Sequence, residues 1–338
     1  MSSRAEPKKK PAKKTAKKPA KKPAKRSSAK RPVIRVSKGT PKAPSQPVKS
    51  DRWVKCIISD GNIRAVAIEA TALVRDLSKR HKLSKVGSIG LGEAVLAAAL
   101  IASSVKNKEK VNLNIQGDGA FSQALVDASA DGVMRGYVVE RKKRTVSKFS
   151  QDLGPWGNGL LSVLRTQGSG EPPYIGTVPL LTGHLAKDLT FYWFQSEQIP
   201  SAVGIGVYLD ERGKVIAAAG FLVQAMPGAD ESEVKLIQRQ LLHLSNLKER
   251  VVESGDPVQL LAKVLEGMPF TIVEDRPIKF GCSCSLERVE RSLRLLGPKE
   301  LTSILKEDGK AKVTCDFCAT DYLIKAPALK RLISSHRA

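Results

Sequence analysis

A chain of 338 residues is long enough for two domains and a tail, and a hydrophobic content of 41% supplies a sizeable core. No apolar run reads as a membrane span and the N-terminus lacks a signal-peptide stretch, so a soluble, cytoplasmic protein with no membrane partner is expected. The formal charge of +24 is mostly local: residues 1–50 hold 18 Lys and Arg against one acid, Glu6, leaving 39 basic and 32 acidic residues for the other 288.

Residues 11–26 are four tandem tetrapeptides of the Pro-Ala-Lys-Lys type, and eight of the 19 prolines precede residue 50. Self-repelling charge and proline oppose a packed core, so residues 1–50 are expected to be disordered. Clustered lysines release counterions from phosphate, which makes sequence-blind nucleic-acid binding and nucleoid association one reading of this tail. A solubilising tether and an organelle transit peptide are the others.

Residues 51–229 read as an α+β core domain with mixed or antiparallel sheets. Trp53–Ile58 and Ile63–Ile68 are strand-like and joined at Asp60-Gly61, a hairpin signal. A helix is expected from Thr71, as N-cap, to Arg80, and a buried Ala-rich helix over Leu91–Val105. Strand pairs follow at 121–128 with 133–139, 160–165 with 174–180, and 202–209 with 215–223, with a helix at 185–198 between the last two pairs. Hairpins outnumber βαβ units, which favours α+β over a parallel sheet. Gly87-Ser88-Ile89-Gly90-Leu91-Gly92 lacks dinucleotide-loop spacing and is assigned to a loop. Asp118 is assigned to a turn, and His184 could cap the helix after it. His81, His184, His243 and His336 show no metal spacing, and Cys56 alternates within an apolar strand as a small buried hydrophobe. No catalytic constellation emerges, so an enzyme is not expected.

Residues 230–277 read as an amphipathic helical linker. Val234, Ile237, Leu241, Leu244, Leu247 and Val251 recur at spacings of three and four. A second helix has Asp256 as N-cap and Pro257 at N1, and stops at Gly267. If the partner of such a stripe can unfold, the stripe becomes a conditional apolar surface.

Residues 278–330 carry Cys282-Ser283-Cys284 and Cys315-Asp316-Phe317-Cys318, separated by thirty residues. Two close thiolate pairs without nearby histidine are a ligand set for one tetrahedral Zn²⁺ per chain in the reduced state. Five cysteines, four of them in metal spacing, fit a reducing compartment better than a disulfide framework. Ser285 can cap a helix carrying Leu286, Val289, Leu293 and Leu296, and Pro298 starts another with Leu301, Ile304 and Leu305. The second cysteine pair falls at the turn of a hairpin. About 50 residues bury too little apolar surface to fold securely alone, so the metal would supply the difference. Within each pair the cysteines can also join to each other on oxidation. A disulfide across a single residue is strained and easily reversed.

Cys-x-Cys, thirty residues, then Cys-x-x-Cys resembles the redox-regulated heat-shock chaperones, the thirty-three-kilodalton bacterial heat-shock proteins. Gly117-Asp118-Gly119, Arg135-Gly136-Tyr137-Val138, Ser196–Ser201, Phe221–Ala229 and Glu307-Asp308-Gly309 agree with that family. The resemblance spans roughly residues 51–330. It implies an ATP-independent holdase, inactive while reduced and zinc-bound, that holds unfolded client proteins as a homodimer once oxidised. It also implies Cys282, Cys284, Cys315 and Cys318 as metal ligands, and Cys282–Cys284 and Cys315–Cys318 as the redox disulfides. The basic tail departs from the family pattern. Two rival readings stand beside this one: a zinc-stabilised nucleic-acid-binding protein acting through its tail, and a thiol oxidoreductase using Cys315-x-x-Cys318. The latter class places its motif on a helix N-terminus in a βαβ unit, not in a hairpin.

Overall fold

The computed structural model describes residues 51–58, 62–105, 109–141, 153–166, 172–232, 234–235, 251 and 255–335. The basic tail, the Asp60-Gly61 turn and most of the 230–251 stripe lie outside the described residues.

In chain order the elements begin with β1 (Arg52–Ile58), β2 (Ile63–Glu69), α1 (Thr71–Arg80) and α2 (Lys85–Ala102). β3 (Lys110–Gly117), β4 (Phe121–Ser129), β5 (Val133–Glu140), β6 (Gly159–Thr166) and β7 (Tyr174–Leu180) follow. Next come α3 (Leu185–Ser196), β8 (Ser201–Leu209), β9 (Val215–Ala225), α4 (Pro257–Val264), β10 (Phe270–Pro277) and β11 (Lys279–Phe280). The chain closes with α5 (Leu286–Arg294), α6 (Gly297–Glu307), β12 (Lys310–Thr314), β13 (Asp321–Lys325) and α7 (Ala326–Ser334).

The class is α+β, as expected. One sheet runs β10-β1-β2-β9-β8 and is antiparallel throughout. The second runs β11-β5-β4-β3-β6-β7, antiparallel except for β11, which pairs in parallel with β5. A third, β12-β13, belongs to the C-terminal module.

The buried helix α2 packs on strands of both large sheets. It starts at Lys85, six residues before the expected start, and takes in the glycine run assigned to a loop. Ser84 caps it, its Oγ accepting from Gly87 N at 3.0 Å. The glycines serve close packing inside the helix. A Cβ on Gly90 would lie 2.4 Å from the Phe121 ring, and one on Gly92 2.8 Å from Val207 and Val74. At eighteen residues α2 also has the length and apolarity of a membrane span, against the sequence expectation, yet it lies buried between strands of this fold. The N-cap of α1 is Ala70, not Thr71. Asp51 caps it from a distance in sequence, its carboxylate accepting from the Ala72 and Leu73 amides. Thr71 Oγ1 instead accepts from Ala218 N at 2.8 Å, tying α1 to β9. Asp256 and Pro257 start α4 as expected, with Asp256 Oδ1 accepting from Val258 N at 2.9 Å. Leu260, Leu261 and Val264 of α4 pack with Val54, Cys56 and Phe221 on the face of the first sheet.

Candidate metal centre

The C-terminal module is α5, α6, the β12–β13 hairpin and α7. Its core is small: Val289, Leu293, Leu301, Ala311, Ile324, Leu329 and Leu332 are buried. Leu286 and Leu296, read from sequence as part of the α5 stripe, are each half exposed. Ser285 caps α5, its Oγ accepting from Arg288 N at 3.2 Å.

Cys315 and Cys318 sit in the turn between β12 and β13. The backbone loops around the sulfurs: Ala319 N donates to Cys315 O at 2.8 Å, Cys315 N donates to Thr320 O at 2.9 Å, and Ala319 adopts φ +55°. Cys282 and Cys284 come from the extended segment between β11 and the α5 cap. All four Sγ atoms lie within 4.8 Å of one another, with Cys282–Cys315 at 3.8 Å and Cys284–Cys318 at 3.4 Å. Four sulfurs at about 2.3 Å from a central ion stand roughly 3.8 Å apart, so this donor set fits a tetrahedral soft-metal site. Cys318 is buried and the other three are half-buried, so solution oxidants can reach the cluster. Tyr322 Oη donates to Cys284 Sγ at 3.0 Å, and Thr320 Oγ1 lies 3.2 Å from Cys318 Sγ. Burial pushes the Cys315 thiol up to about 12. At Cys318 burial acts the same way but is outweighed by hydrogen bonds from Thr320, and the thiol falls to about 7.

The cluster is docked on the body. Arg135 of β5 pairs with Asp127 at 2.7 Å, sets its guanidinium 4.1 Å from the Phe317 ring centroid, and places Nη1 3.8 Å from Cys282 Sγ. Tyr137 meets Phe317 edge-on at 5.5 Å, and His81 Nε2 lies 3.3 Å from the Phe317 carbonyl oxygen. Phe317 thus plugs the Cys315–Cys318 turn into the surface of β5 and the end of α1. Sequence reasoning did not assign these contacts, although Arg135-Gly136-Tyr137-Val138 was among the stretches that carried the resemblance.

Other sequence candidates lie elsewhere. Cys56 is fully buried in β1, and burial pushes its thiol up to about 12, so little thiolate is available for redox chemistry. Asp118 holds a turn, accepting from Asn158 N at 2.7 Å. His184 occupies the N-cap position of α3 without a side-chain capping bond; its carbonyl accepts from Lys187 and Asp188.

The family model described as "Hsp33 protein" matches residues 51–325. The chain belongs to the Hsp33 family. The 33 kDa chaperonin of Geobacter sp. (strain M21) is 39% identical over 290 residues, covering 84% of this chain and 97% of its own length. That of Halalkalibacterium halodurans is 35% identical over 286 residues, covering 83% and 98%. The crystal structure of the 33 kDa chaperonin (heat shock protein 33 homolog) from Thermotoga maritima superposes with a TM-score of 0.75 at 29% identity, covering 84% of this chain and 98% of that one. Hsp33 membership supports a chaperone, in keeping with a non-enzyme, and does not favour the nucleic-acid reading. Four close cysteines that can hold a metal agree with the family.

Proposed function

We propose that the chain is a redox-regulated, ATP-independent holdase that binds unfolding client proteins when oxidised. The observation that carries this reading is the sulfur quartet: four thiols within 4.8 Å, three of them half-buried, at the junction between a small-cored module and the body. In the reduced state Cys282, Cys284, Cys315 and Cys318 would hold one Zn²⁺. Zinc, when bound, supplies on the order of 10–16 kcal/mol toward folding of such a module.

Peroxide or hypochlorite can serve as the oxidant. A thiolate attacks one peroxide oxygen, becomes a sulfenic acid and releases hydroxide; a second thiol then displaces water to close the disulfide. Two disulfides consume two peroxides and withdraw all four sulfurs from the ligand set. Proximity alone serves any pairing while the cluster is closed. Cys282–Cys284 and Cys315–Cys318 are the pairs that stay close once the module opens, because sequence holds them together. On this reading the chain consists of a basic tail (1–50), a chaperone core (51–229), a linker (230–277) and a redox module (278–330). Opening the module frees the linker and exposes apolar surface to clients.

The test compares suppression of citrate synthase aggregation at heat-shock temperature before and after peroxide, in the full chain and after deletion of residues 1–50. Stoichiometric suppression only after oxidation, retained without the tail, supports the proposal. Suppression lost with the tail would return the function to the nucleic-acid arm. Catalytic turnover of a disulfide substrate would make the protein an oxidoreductase.

A further inference from the structure

Residues 270–280 are one extended segment that closes an edge of each large sheet. β10 pairs along the whole of β1, from Arg52↔Pro277 to Ile58↔Phe270, and β11 then pairs with β5. The segment is pinned at both ends: Phe270 packs with the α4 cluster and Ile278 with the main core. Ile278 N donates to Asp51 O at 2.9 Å and Lys279 N to Gly132 O at 2.9 Å. Gly132, at φ +84°, leaves room for the Pro277 carbonyl, which a Cβ there would approach to 2.2 Å. Only Gly281 separates this segment from Cys282. The strand that covers β1 is therefore tethered to the first sulfur of the metal site.

β1 is built as an interior strand. Trp53 is buried on one face, and Val54, Cys56 and Ile58 on the other, with no proline in the strand. Natural edges carry charge, proline or bulges to prevent templated pairing, and β10 has that character. Val273 and Asp275 are exposed and Pro277 ends the strand. The pairing is also electrostatic. Lys55 pairs with Glu274 at 2.7 Å, Trp53 Nε1 donates to Glu274 at 2.9 Å, and Arg52 pairs with Asp275.

We infer that β1 is a client-docking edge, uncovered when β10 leaves with the opened module. It takes an extended segment of an unfolding polypeptide, added antiparallel in place of β10. The occupant's chemistry is read from what β10 supplies: apolar residues opposite Cys56 and Ile58, and a carboxylate opposite Lys55. Main-chain hydrogen bonds carry most of the recognition, which suits many unrelated sequences. This inference rests on the holdase reading and names its binding surface.

The test is hydrogen exchange of the full chain in three states: reduced with zinc, oxidised, and oxidised with thermally unfolding citrate synthase. The β1 amides that face β10 are expected to be protected in the first, to lose at least tenfold protection in the second, and to regain it in the third, while the alternate amides that donate to β2 stay protected throughout. A synthetic peptide of residues 270–277 is expected to displace client, whereas the same peptide N-methylated along its β1-facing side is not. The inference is overturned if the β10-facing amides of β1 stay protected after oxidation, or if client is held while they exchange at the freed rate. Equal competition by both peptides overturns it too, by assigning docking to side chains. Protection that returns on oxidation alone, with a doubled mass, would give the edge to a second copy and also overturn it. In those cases the holdase reading survives. Failure to suppress aggregation at all removes both.

Discussion

The body and the module solve the folding problem in opposite ways. In the body, α2 carries an unbroken buried run from Ala94 to Ala102, packed on strands of both sheets with Trp53, Trp156, Trp193 and Phe121 around it. That surface is removed from water with no contribution from the cysteines of the module. The module buries seven apolar side chains and leaves Leu286, Leu295, Leu296 and Leu323 half exposed or more. A core that small offsets little chain entropy alone, and on the proposed reading an ion held by its four sulfurs would stand where hydrophobic burial would otherwise be. A large apolar core would give a platform; a module that leans on a metal would give a part that can be withdrawn.

The largest effect expected from breaking this contrast comes from chelating the metal under reducing conditions. Amides in residues 286–334 should lose their protection as about 10–16 kcal/mol of binding free energy is removed, while β3, β4 and α2 keep theirs. A module that stays protected without metal would erase the contrast. Next, Leu100→Ala, at a fully buried site in α2, should cost about 2–5 kcal/mol in denaturant unfolding of the body and leave zinc content unchanged.

Third is a pH effect confined to the body. Burial holds the Glu69 carboxyl up at about 7, against 4.5 when unfolded. Between those values the folded state binds more protons than the unfolded one, so this group's contribution to stability falls as pH rises from 4.5 to 7. Glu69→Gln should flatten that slope, by up to about 3 kcal/mol across the window in urea titrations. Smallest is Tyr322→Phe, which removes the hydroxyl 3.0 Å from Cys284 Sγ. Loss of such an outer partner should weaken zinc affinity about 10–100-fold by chelator competition, with the body's stability unmoved.

Much of this was legible in sequence because it is local. Cysteine spacing marked the quartet, Asp256-Pro257 marked the start of α4, and Ser285 the start of α5. What escaped was set by distant partners. The glycine run in α2 looks like a loop until Phe121 and Val207 are seen to need its missing side chains. Asp51 caps a helix twenty residues away, a bond with no local signature. β10 carries charges at Glu274, Asp275 and Arg276 that hide its strand character, and only pairing with β1 makes it a strand. Arg135 gave no sign of its role because Phe317, its ring partner, lies far along the chain.

The coupling between sulfur chemistry and module structure is tested most directly by one peroxide titration at heat-shock temperature. Released zinc, lost amide protection in residues 286–334 and suppressed client aggregation are read from the same samples. The account expects the three curves to share one midpoint and to reverse together on adding dithiothreitol. Protein that shields client in full while its zinc and module protection remain at their reduced values would contradict it.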